Sequence, residues 1–262
     1  MDSVKAKRVL VTGASSGIGA AIARELARSG AVVGLCARRR PLLEAVLEEC
    51  REHSPSSLAW TVDLDDLDGI DAFVEQVRSD LGGVDILVNN AGVVSSSRLP
   101  GLGFDEVAAL MRINYLSPVR LTLALLPELV GRGSGQVLTI SSVAARLSPP
   151  TEAAYGATKA ALSAFFEAAA ADLWYTGVKF HLVYPGLIIV RDEEPDALHE
   201  GVEAYPPEVV AEAVRRQLEE HTFDIYVPEE FGPMYARRAA NVAGFVAGSA
   251  AWAHQQLDVG GG

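Results

Sequence analysis

Short apolar runs alternate with longer amphipathic stretches along this chain. Seven apolar or β-branched runs are typical of strands: Arg8–Thr12, Val32–Cys36, Leu58–Val62, Val84–Val88, Gln136–Ile140, Lys179–Val183 and Phe223–Val227. Helical patterns lie between them, for example Gly17–Ser29, Leu42–His53, Ile70–Leu81 and Glu152–Tyr175. Strands that alternate with helices predict a mostly parallel, seven-stranded α/β sheet. Because the strands are almost continuously apolar, we expect helices on both faces of the sheet.

Two stretches depart from this regular alternation. Val94–Gly103 forms a polar stretch after the fourth strand, and Ile188–Pro207 is rich in acidic residues and proline. The ligand crevice of an open α/β sheet lies beyond the carboxyl ends of its strands. We therefore expect both loops to lie over a crevice, with residues 188–207 as a substrate lid. A helical extension is predicted from about residue 229, and residues 1–262 are predicted to form a single domain.

Composition narrows the classes of partner. The net charge is −12 and no basic stripe or arm is present, which argues against a nucleic-acid partner. No run of about 18 apolar residues occurs, and the N-terminus lacks an apolar signal core, so no integral membrane segment is expected. Cys36 and Cys50 lack the spacing of metal ligands. We expect no metal site, and two reduced core cysteines in a cytoplasmic protein.

A glycine-rich turn directly follows the first predicted strand. Its sequence is Gly13-Ala14-Ser15-Ser16-Gly17-Ile18-Gly19, and a helical pattern continues from it. Glycines allow the backbone to approach a pyrophosphate, and a helix N-terminus offers free N–H groups with a partial positive charge. An ordinary glycine turn is the alternative, but the position between a strand and a helix favours a nucleotide site.

The end of the second strand indicates which dinucleotide would bind. An acidic residue there would hold ribose hydroxyls, whereas arginine accommodates a 2′-phosphate. Here the strand continues into Arg38-Arg39-Arg40. A solvated basic turn is the alternative, but the location favours NADP(H), with Arg38 as the first contact and Arg39 as the second. Asp63, followed by Leu64, ends the third strand and is expected beside the adenine, although Asp63 could instead cap a turn.

Tyr155 and Lys159 stand four residues apart in a helical stretch. Residues at this spacing share one helix face, so a phenol and an ammonium would lie side by side. A neighbouring cation lowers the pKa of a tyrosine, whose ordinary value is about 10. The sequence therefore predicts a tyrosine that can act as a general acid or base. The spacing also occurs by chance, so its value depends on the surrounding motifs.

Taken together, the motifs resemble those of the short-chain dehydrogenase/reductase family from about Arg8 to Gly186. The segments that carry the resemblance are Thr12–Gly19, Asp63, Asn89-Asn90-Ala91-Gly92, Asn114, Ser141-Ser142, Tyr155-x-x-x-Lys159 and Pro185-Gly186. The resemblance implies a three-layer Rossmann-type fold and interconversion of a carbonyl compound and an alcohol by hydride transfer. It also implies a homodimer or homotetramer built through helices around Glu106–Leu126 and Glu152–Tyr175.

The resemblance assigns roles to four catalytic residues. Tyr155 would protonate the carbonyl oxygen, or take the proton in the reverse direction. Lys159 would lower the pKa of Tyr155 and bind the nicotinamide ribose. Ser142, rather than Ser141, would hydrogen-bond the substrate oxygen, and Asn114 would hold a water on a proton path. Each residue has an ordinary structural alternative, such as a turn cap or a helix polar residue; their agreement on one site favours the functional interpretation.

The resemblance also assigns the cofactor contacts. Asn90 and Gly92 would line the cofactor, Asn89 would tie sheet strands together, and Ile188 would contact the nicotinamide amide through its backbone. Family members often carry threonine where this chain has Val190, which cannot donate the same hydrogen bond. The main expectation is a small-molecule ketone reductase or alcohol dehydrogenase. An epimerase or dehydratase of the extended branch and a non-catalytic dinucleotide sensor are the alternatives.

Overall fold

A seven-stranded sheet forms the centre of the molecule. The structure is a computed structural model that describes residues 3–189 and 203–259. The strands are β1 Arg8–Thr12, β2 Val32–Ala37, β3 Leu58–Thr61, β4 Ile86–Asn89, β5 Gly135–Ile140, β6 Val178–Pro185 and β7 Asp224–Val227. All seven predicted strands are present, and only their ends differ by one or two residues. The apolar runs therefore identified the buried strands correctly.

The strand order creates a crevice between β1 and β4. The order across the sheet is β3-β2-β1-β4-β5-β6-β7, and every recorded pairing is parallel. From β1 the chain builds outward to β2 and β3, and it then returns to place β4 on the other side of β1. Such a reversal of direction opens a ligand crevice beyond the carboxyl ends of the two central strands.

Helices cover both faces of the sheet, as predicted. Their bounds are α1 Gly17–Arg28, α2 Arg40–Arg51, α3 Ile70–Leu81, α4 Phe104–Met111, α5 Ser117–Arg132, α6 Ala144–Leu147, α7 Ala153–Asp172, α8 Pro207–Glu220, α9 Phe231–Ala240 and α10 Val242–Val259. Helices α1, α2 and α8 contribute to one apolar cluster. Helices α3, α5 and α7 contribute to the other. The result is the expected three-layer Rossmann-type architecture.

One predicted helix, Glu106–Leu126, is not continuous. Five residues between α4 and α5, Arg112–Leu116, form a π-helical turn. A π-turn inserts extra backbone into a helix and often occurs at functional sites. The hydrophobic periodicity of a helix is taken over many residues, so a local change of this size could not be seen in the sequence pattern. A short 3₁₀ turn at Leu99–Gly101 also lies within the predicted polar loop.

The C-terminal extension consists of α9 and α10 rather than one helix. Helix α9 contacts β7 and α6, and α10 contacts α9. Among the described residues, no helix is both long and apolar enough to cross a membrane. Most of the predicted lid, residues 190–202, lies outside the described part of the chain, as does Val190. Cys36 and Cys50 are free and buried, which confirms them as core residues.

His181 is a buried titratable group on β6. It is 1% exposed, with Nδ1 2.8 Å from the Thr222 carbonyl oxygen and Nε2 2.8 Å from Gln136 Oε1. Burial lowers the pKa of His181 to about 4, with the Thr222 carbonyl opposing this shift. The imidazole is therefore neutral in the folded protein at pH 6, where an unfolded histidine, with a pKa of about 6.5, is mostly protonated.

We predict that His181 makes the protein less stable as the pH falls from about 6.5 towards 4. Over this interval the unfolded state binds more protons, so the free energy of unfolding should fall by up to about 3 kcal/mol. Urea titrations between pH 7 and 4.5 measure this slope, which His181→Gln should reduce. His53→Gln is the matched control, since His53 is exposed and should leave the slope unchanged. Equal slopes in the parent and His181→Gln would contradict the prediction.

Candidate active site

The glycine turn packs tightly against the end of β4. Gly13 has φ +67°, and a Cβ placed on it would lie 2.9 Å from the Ala91 Cα. A side chain at Gly19 would collide with the Gly13 carbonyl oxygen and the Asn90 amide. Only glycine permits this approach without strain. The turn thereby leads directly into the first turn of α1, whose leading amides have no acceptor within the helix and can bind an anion.

Thr12 joins the ends of β1 and β4 through its hydroxyl. Its Oγ1 accepts hydrogen bonds from the backbone amides of Asn90 and Ala91, both at 2.9 Å, and donates to the Val88 carbonyl at 3.2 Å. Asn90 Nδ2 donates to the Thr12 carbonyl at 2.9 Å. The Asn90 side chain, predicted to line the cofactor, thus also ties the glycine turn to β4. The sequence assigned no role to Thr12 beyond its place in the motif.

Asn89 does not make the contact predicted for it. Its Nδ2 donates to Thr122 Oγ1 at 3.0 Å, and Thr122 belongs to α5. The side chain therefore ties the sheet to a covering helix, whereas the sequence predicted a tie between strands. Asn89 is 3% exposed, as expected for a side chain that points into a packed helix layer.

The two arginines after β2 occupy different places. Arg39 donates from Nε to Ser15 Oγ at 3.3 Å, and its Nη2 also contacts Ser15 and Ser16. Arg38 forms an exposed ion pair with Asp63, with 3.9 Å between Nη1 and Oδ2. The sequence ranked Arg38 above Arg39, yet it is Arg39 that lies against the glycine turn. Arg39 is therefore beside the glycine turn, and Arg38 is beside the turn that follows β3.

Asp63 belongs to a turn that follows β3. Its Oδ1 accepts a hydrogen bond from the Asp65 amide at 3.1 Å. The next residue, Leu64, is 5% exposed and packs in the core beneath this turn. The side chain of Asp63 thus has both the turn role and the ion pair with Arg38, and the adenine contact predicted from the sequence stays a prediction.

Asn114 and Lys159 meet beneath the loop that follows β4. Asn114 is fully buried on the π-turn, where its Oδ1 accepts the Val93 amide at 2.8 Å and its Nδ2 donates to the Val93 carbonyl at 2.9 Å. A Cβ placed on Gly92 would lie 2.9 Å from Asn114 Oδ1 and 3.5 Å from Lys159 Nζ. The loop backbone, the amide and the ammonium therefore form one compact group. Sequence reasoning missed Thr158, whose Oγ1 accepts from Asn114 Nδ2 at 3.2 Å.

Tyr155 and Lys159 share one face of α7, as their spacing predicts. Lys159 Nζ lies 5.9 Å from the centre of the Tyr155 ring and donates to the Ile140 carbonyl at 3.0 Å. Burial raises the pKa of Tyr155 to about 12, opposed by its interaction with Ser142 and reinforced by Glu152. The lowered tyrosine pKa predicted from the sequence is therefore not found. Burial also lowers the pKa of Lys159 to about 8.

Ser141 and Ser142 point to different surroundings. Ser141 Oγ lies 2.8 Å from Ser163 Oγ and also contacts the Lys159 carbonyl. Because both partners belong to α7, the Ser141 side chain is fixed against that helix. Ser142 is half-buried, accepts the Ala144 amide at 3.1 Å and interacts with Tyr155. Of the two serines, Ser142 is thus the one that lies next to the phenol, and its contact with a substrate oxygen stays a prediction.

Backbone hydrogen bonds hold together the two ends of the predicted lid. The Ile189 amide donates to the Tyr205 carbonyl, and the Tyr205 amide donates to the Leu187 carbonyl, both at 2.9 Å. Ile188, predicted to contact the nicotinamide, forms the bridge with Tyr205 and packs against the core. Within the described ranges, no group of three or more His, Cys, Asp or Glu side chains could hold a metal ion.

The family of the chain follows from comparison with known proteins. The family model described as short chain dehydrogenase matches residues 7–194. That match covers most of the chain and includes the glycine turn, Asn114, Ser142, Tyr155 and Lys159. The chain belongs to the short-chain dehydrogenase/reductase family.

Two bacterial proteins are among the similar curated proteins. An uncharacterized oxidoreductase of Mycobacterium tuberculosis is 37% identical over 216 residues, which are 80% of this chain and 63% of that protein. A fatty acyl-CoA reductase of Acinetobacter baylyi is 34% identical over 216 residues, which are 81% of this chain and 73% of that protein. The chain thus spans less than two thirds of the length of the mycobacterial relative.

Solved structures share the fold over most of both chains. A short-chain dehydrogenase from Streptomyces avermitilis has a TM-score of 0.78 at 33% identity, covering 90% of this chain and 94% of that one. An L-sorbose reductase from Gluconobacter frateurii, in complex with NADPH and L-sorbose, has a TM-score of 0.76 at 30% identity. That match covers 83% of this chain and 91% of the reductase.

We predict that Thr12→Val destabilises the protein by about 2–4 kcal/mol, because two amides lose their acceptor. Thr139→Val is the matched control. Thr139 is equally buried on β5, and its hydroxyl has no hydrogen-bond partner among the described residues. Its replacement should change the free energy of unfolding by less than about 1 kcal/mol. Urea unfolding measures both, and equal losses would show that the Thr12 hydroxyl has no special role.

Proposed function

We propose that this protein is an NADP(H)-dependent oxidoreductase that interconverts a ketone or aldehyde and an alcohol. The proposal is supported by the arrangement of four side chains: Ser142 interacts with Tyr155, Lys159 lies on the same face of α7 as Tyr155, and Asn114 and Lys159 lie beside Gly92 after β4. Negative charge grows on the carbonyl oxygen during reduction. It can be stabilised by hydrogen-bond donors and positive charge near that oxygen, which a phenol, a hydroxyl and an ammonium supply. The substrate is proposed to be a small-molecule carbonyl compound or alcohol.

The protein's contribution to the reaction is to place the carbonyl and deliver a proton. A bound nicotinamide supplies or accepts the hydride. Ser142 donates a hydrogen bond to the substrate oxygen, and Tyr155 donates the proton to the same oxygen. Because burial raises the pKa of Tyr155 to about 12, the phenol is protonated at neutral pH and is ready to act as an acid. This protonation state suits the reductive direction.

Lys159 and Asn114 are proposed to supply Tyr155 with a new proton after each turnover. With a pKa of about 8, Lys159 is mostly protonated at neutral pH. Its Nζ can hold the ribose hydroxyls of the cofactor, and Asn114 can hold a water between the ammonium and solvent. The buried contacts of Asn114 with Val93 fix the loop after β4 at the same time. A proton path through these groups would replace the proton that Tyr155 gives up.

The donor set of the crevice fits a phosphorylated dinucleotide. The N-terminus of α1 suits the pyrophosphate. Arg39 reaches Ser15 and Ser16, and Arg38 lies beside it, so two guanidinium groups are available for a 2′-phosphate. Structures similar to this chain were solved with NADP or NADPH. We infer a preference for NADP(H) over NAD(H) from these features together.

Exposed apolar surfaces and two buried thiols bear on the assembly and location of the protein. We propose that the described chain acts as one catalytic domain with a substrate lid near residues 188–207. Large apolar side chains are exposed on α4, α5 and the end of α7, among them Phe104, Leu123 and Trp174. These surfaces support a homodimer or homotetramer. The two free, buried cysteines suit a reducing compartment, and we propose the cytoplasm.

We predict that Tyr155→Phe lowers kcat by about 10²–10⁴, the usual contribution of a general acid. The phenyl ring keeps the packing, so NADPH affinity should stay close to that of the parent. A panel of ketones and aldehydes, followed by NADPH absorbance, measures the rate. Tyr175→Phe is the control, because Tyr175 is 97% exposed and should retain full activity. Turnover by Tyr155→Phe at the parent rate would refute the proposed chemistry.

We predict that Arg39→Met weakens NADPH binding by about 10- to 100-fold, the value of one or two charge-assisted hydrogen bonds. NADH lacks the 2′-phosphate, so its affinity should change little. Fluorescence titration with both cofactors makes this comparison. Arg38→Met should have a smaller effect, since Arg38 faces Asp63. Arg40→Met is the matched control, because Arg40 pairs with Glu44 on α2. A parallel loss of NADH affinity would contradict a phosphate contact.

A further inference from the structure

We infer that Arg146 is a positioning residue for the reaction proposed above, holding the segment that carries Ser142 against the catalytic helix α7 and the C-terminal helix α9. Arg146 lies on α6, four residues after Ser142 and outside every motif used above. It does not touch the reacting groups in any recorded contact. Its effect would pass through the position of Ser142, and the inference therefore rests on the proposed function.

The guanidinium of Arg146 connects three elements other than its own. Its Nη2 donates to Tyr184 Oη on β6 at 2.5 Å and also pairs with Glu167 on α7. The planar group also lies over two aromatic rings, at 4.8 Å from the centre of Tyr184 and 5.3 Å from that of Tyr235 on α9. Arginine alone combines a charged fork with a flat face that stacks on aromatic rings.

Helix α6 depends on such contacts for its position. It has only four residues, Ala144–Leu147, and an isolated turn of this length is not stable in water. Its first amide, that of Ala144, donates to Ser142 Oγ at 3.1 Å, and the Val143 amide donates to the Pro185 carbonyl at 3.0 Å. Any shift of α6 would therefore move the hydroxyl that is to hold the substrate oxygen.

The network of hydrogen bonds around Arg146 continues to the main-chain carbonyl of Lys159. The Tyr184 hydroxyl interacts with Ser163. Ser163 Oγ donates to the Lys159 carbonyl at 2.9 Å and lies 2.8 Å from Ser141 Oγ. Arg146, Tyr184, Ser163 and Ser141 thus form a hydrogen-bonded chain that runs from α6 to the main chain beside both the serine and the lysine of the site. A buried network of this kind fixes one arrangement of its elements.

The contact with Tyr235 extends the effect to α9. The first residue of α9, Phe231, lies over Gly186, so that a Cβ placed on Gly186 would be 3.0 Å from Phe231 Cζ. Gly186 directly precedes Leu187 and Ile188, which lead from β6 to the contacts with Tyr205. Arg146 therefore links α9, which packs on Gly186, to the segment of Ser142.

The arrangement is poorly suited to stability alone. Arg146 Nε is buried and has no hydrogen-bond partner among the described residues, which carries a free-energy cost. The pair with Glu167 is partly open to solvent, with the two side chains 19% and 39% exposed, and an ion pair of this kind contributes little to stability. A charged group that fixes geometry between four elements gives a better account of this position than one that only adds stability.

The test compares Arg146→Met with Arg215→Met in the full chain. Arg215 is the matched control, because it also joins two helices through two carboxylates, those of Glu25 on α1 and Glu219 on α8, at a similar exposure. The measurements are kcat and KM for a ketone that the parent reduces, the Kd of NADPH, and Tm. Arg146→Met should lower kcat by about 10-fold or more, as small misplacements of a catalytic group do, with an unchanged Kd for NADPH.

The control and the conservative variant separate positioning from stability. Arg215→Met should lower Tm while kcat stays within about twofold of the parent. Arg146→Lys should recover little of the lost rate. An ammonium group cannot hydrogen-bond Glu167 and Tyr184 together, and it has no flat face to stack on the two aromatic rings. If Arg146→Met does not fold, Tyr235→Leu replaces it, since it leaves the contacts to Glu167 and Tyr184 intact; it should lower kcat at least several-fold.

Two different outcomes would overturn different claims. A folded Arg146→Met or Tyr235→Leu with kcat and KM within about twofold of the parent refutes the positioning role and leaves the proposed function intact. A parent protein that reduces no carbonyl compound with NADPH refutes the proposed function, and the positioning role falls with it.

Discussion

The hydroxyl of Thr12 is the interaction on which the geometry of the site depends. Beyond β1 and β4 the chain leaves the sheet, and the amides of Asn90 and Ala91 lose their ladder partners. Thr12 accepts both amides and donates to the Val88 carbonyl, so the two strand ends become one rigid unit. The glycine turn sits on one side of this unit, and Gly92, beside Lys159 and Asn114, on the other. The glycine turn and the group around Asn114 and Lys159 therefore cannot shift independently.

Burial sets the protonation of the two central residues, more than their mutual distance does. A medium of low polarity disfavours every charge, which raises the pKa of Tyr155 and lowers that of Lys159. The spacing of four residues predicted that the two side chains lie on one face, and they do. It could not predict how deeply they lie, and so it gave the wrong direction for the tyrosine pKa. At neutral pH the protein thus presents an intact phenol next to an ammonium.

The fold was predictable because doubly buried parallel strands must be apolar throughout, and turns after them must carry polar or glycine residues. For the same reason the residues at strand ends, such as Ser142 and Asn90, could be found from their positions. Features that depend on the exact direction of a side chain could not be predicted from such positions. The π-turn around Asn114 leaves the helical period almost unchanged. The contact of Arg39 with Ser15, and that of Arg146 with Tyr184, join residues far apart in sequence.

The hydrogen bonds that join Leu187 and Ile189 to Tyr205 also bear on how this chain could diverge. Because these bonds hold Leu187 and Ile189 beside Tyr205, the entropy of closing the chain between them would change only slowly with the number of residues. Insertions or deletions there would leave the two ends in place. Natural variation or protein design can therefore replace that segment while Ser142, Tyr155 and Lys159 keep their positions.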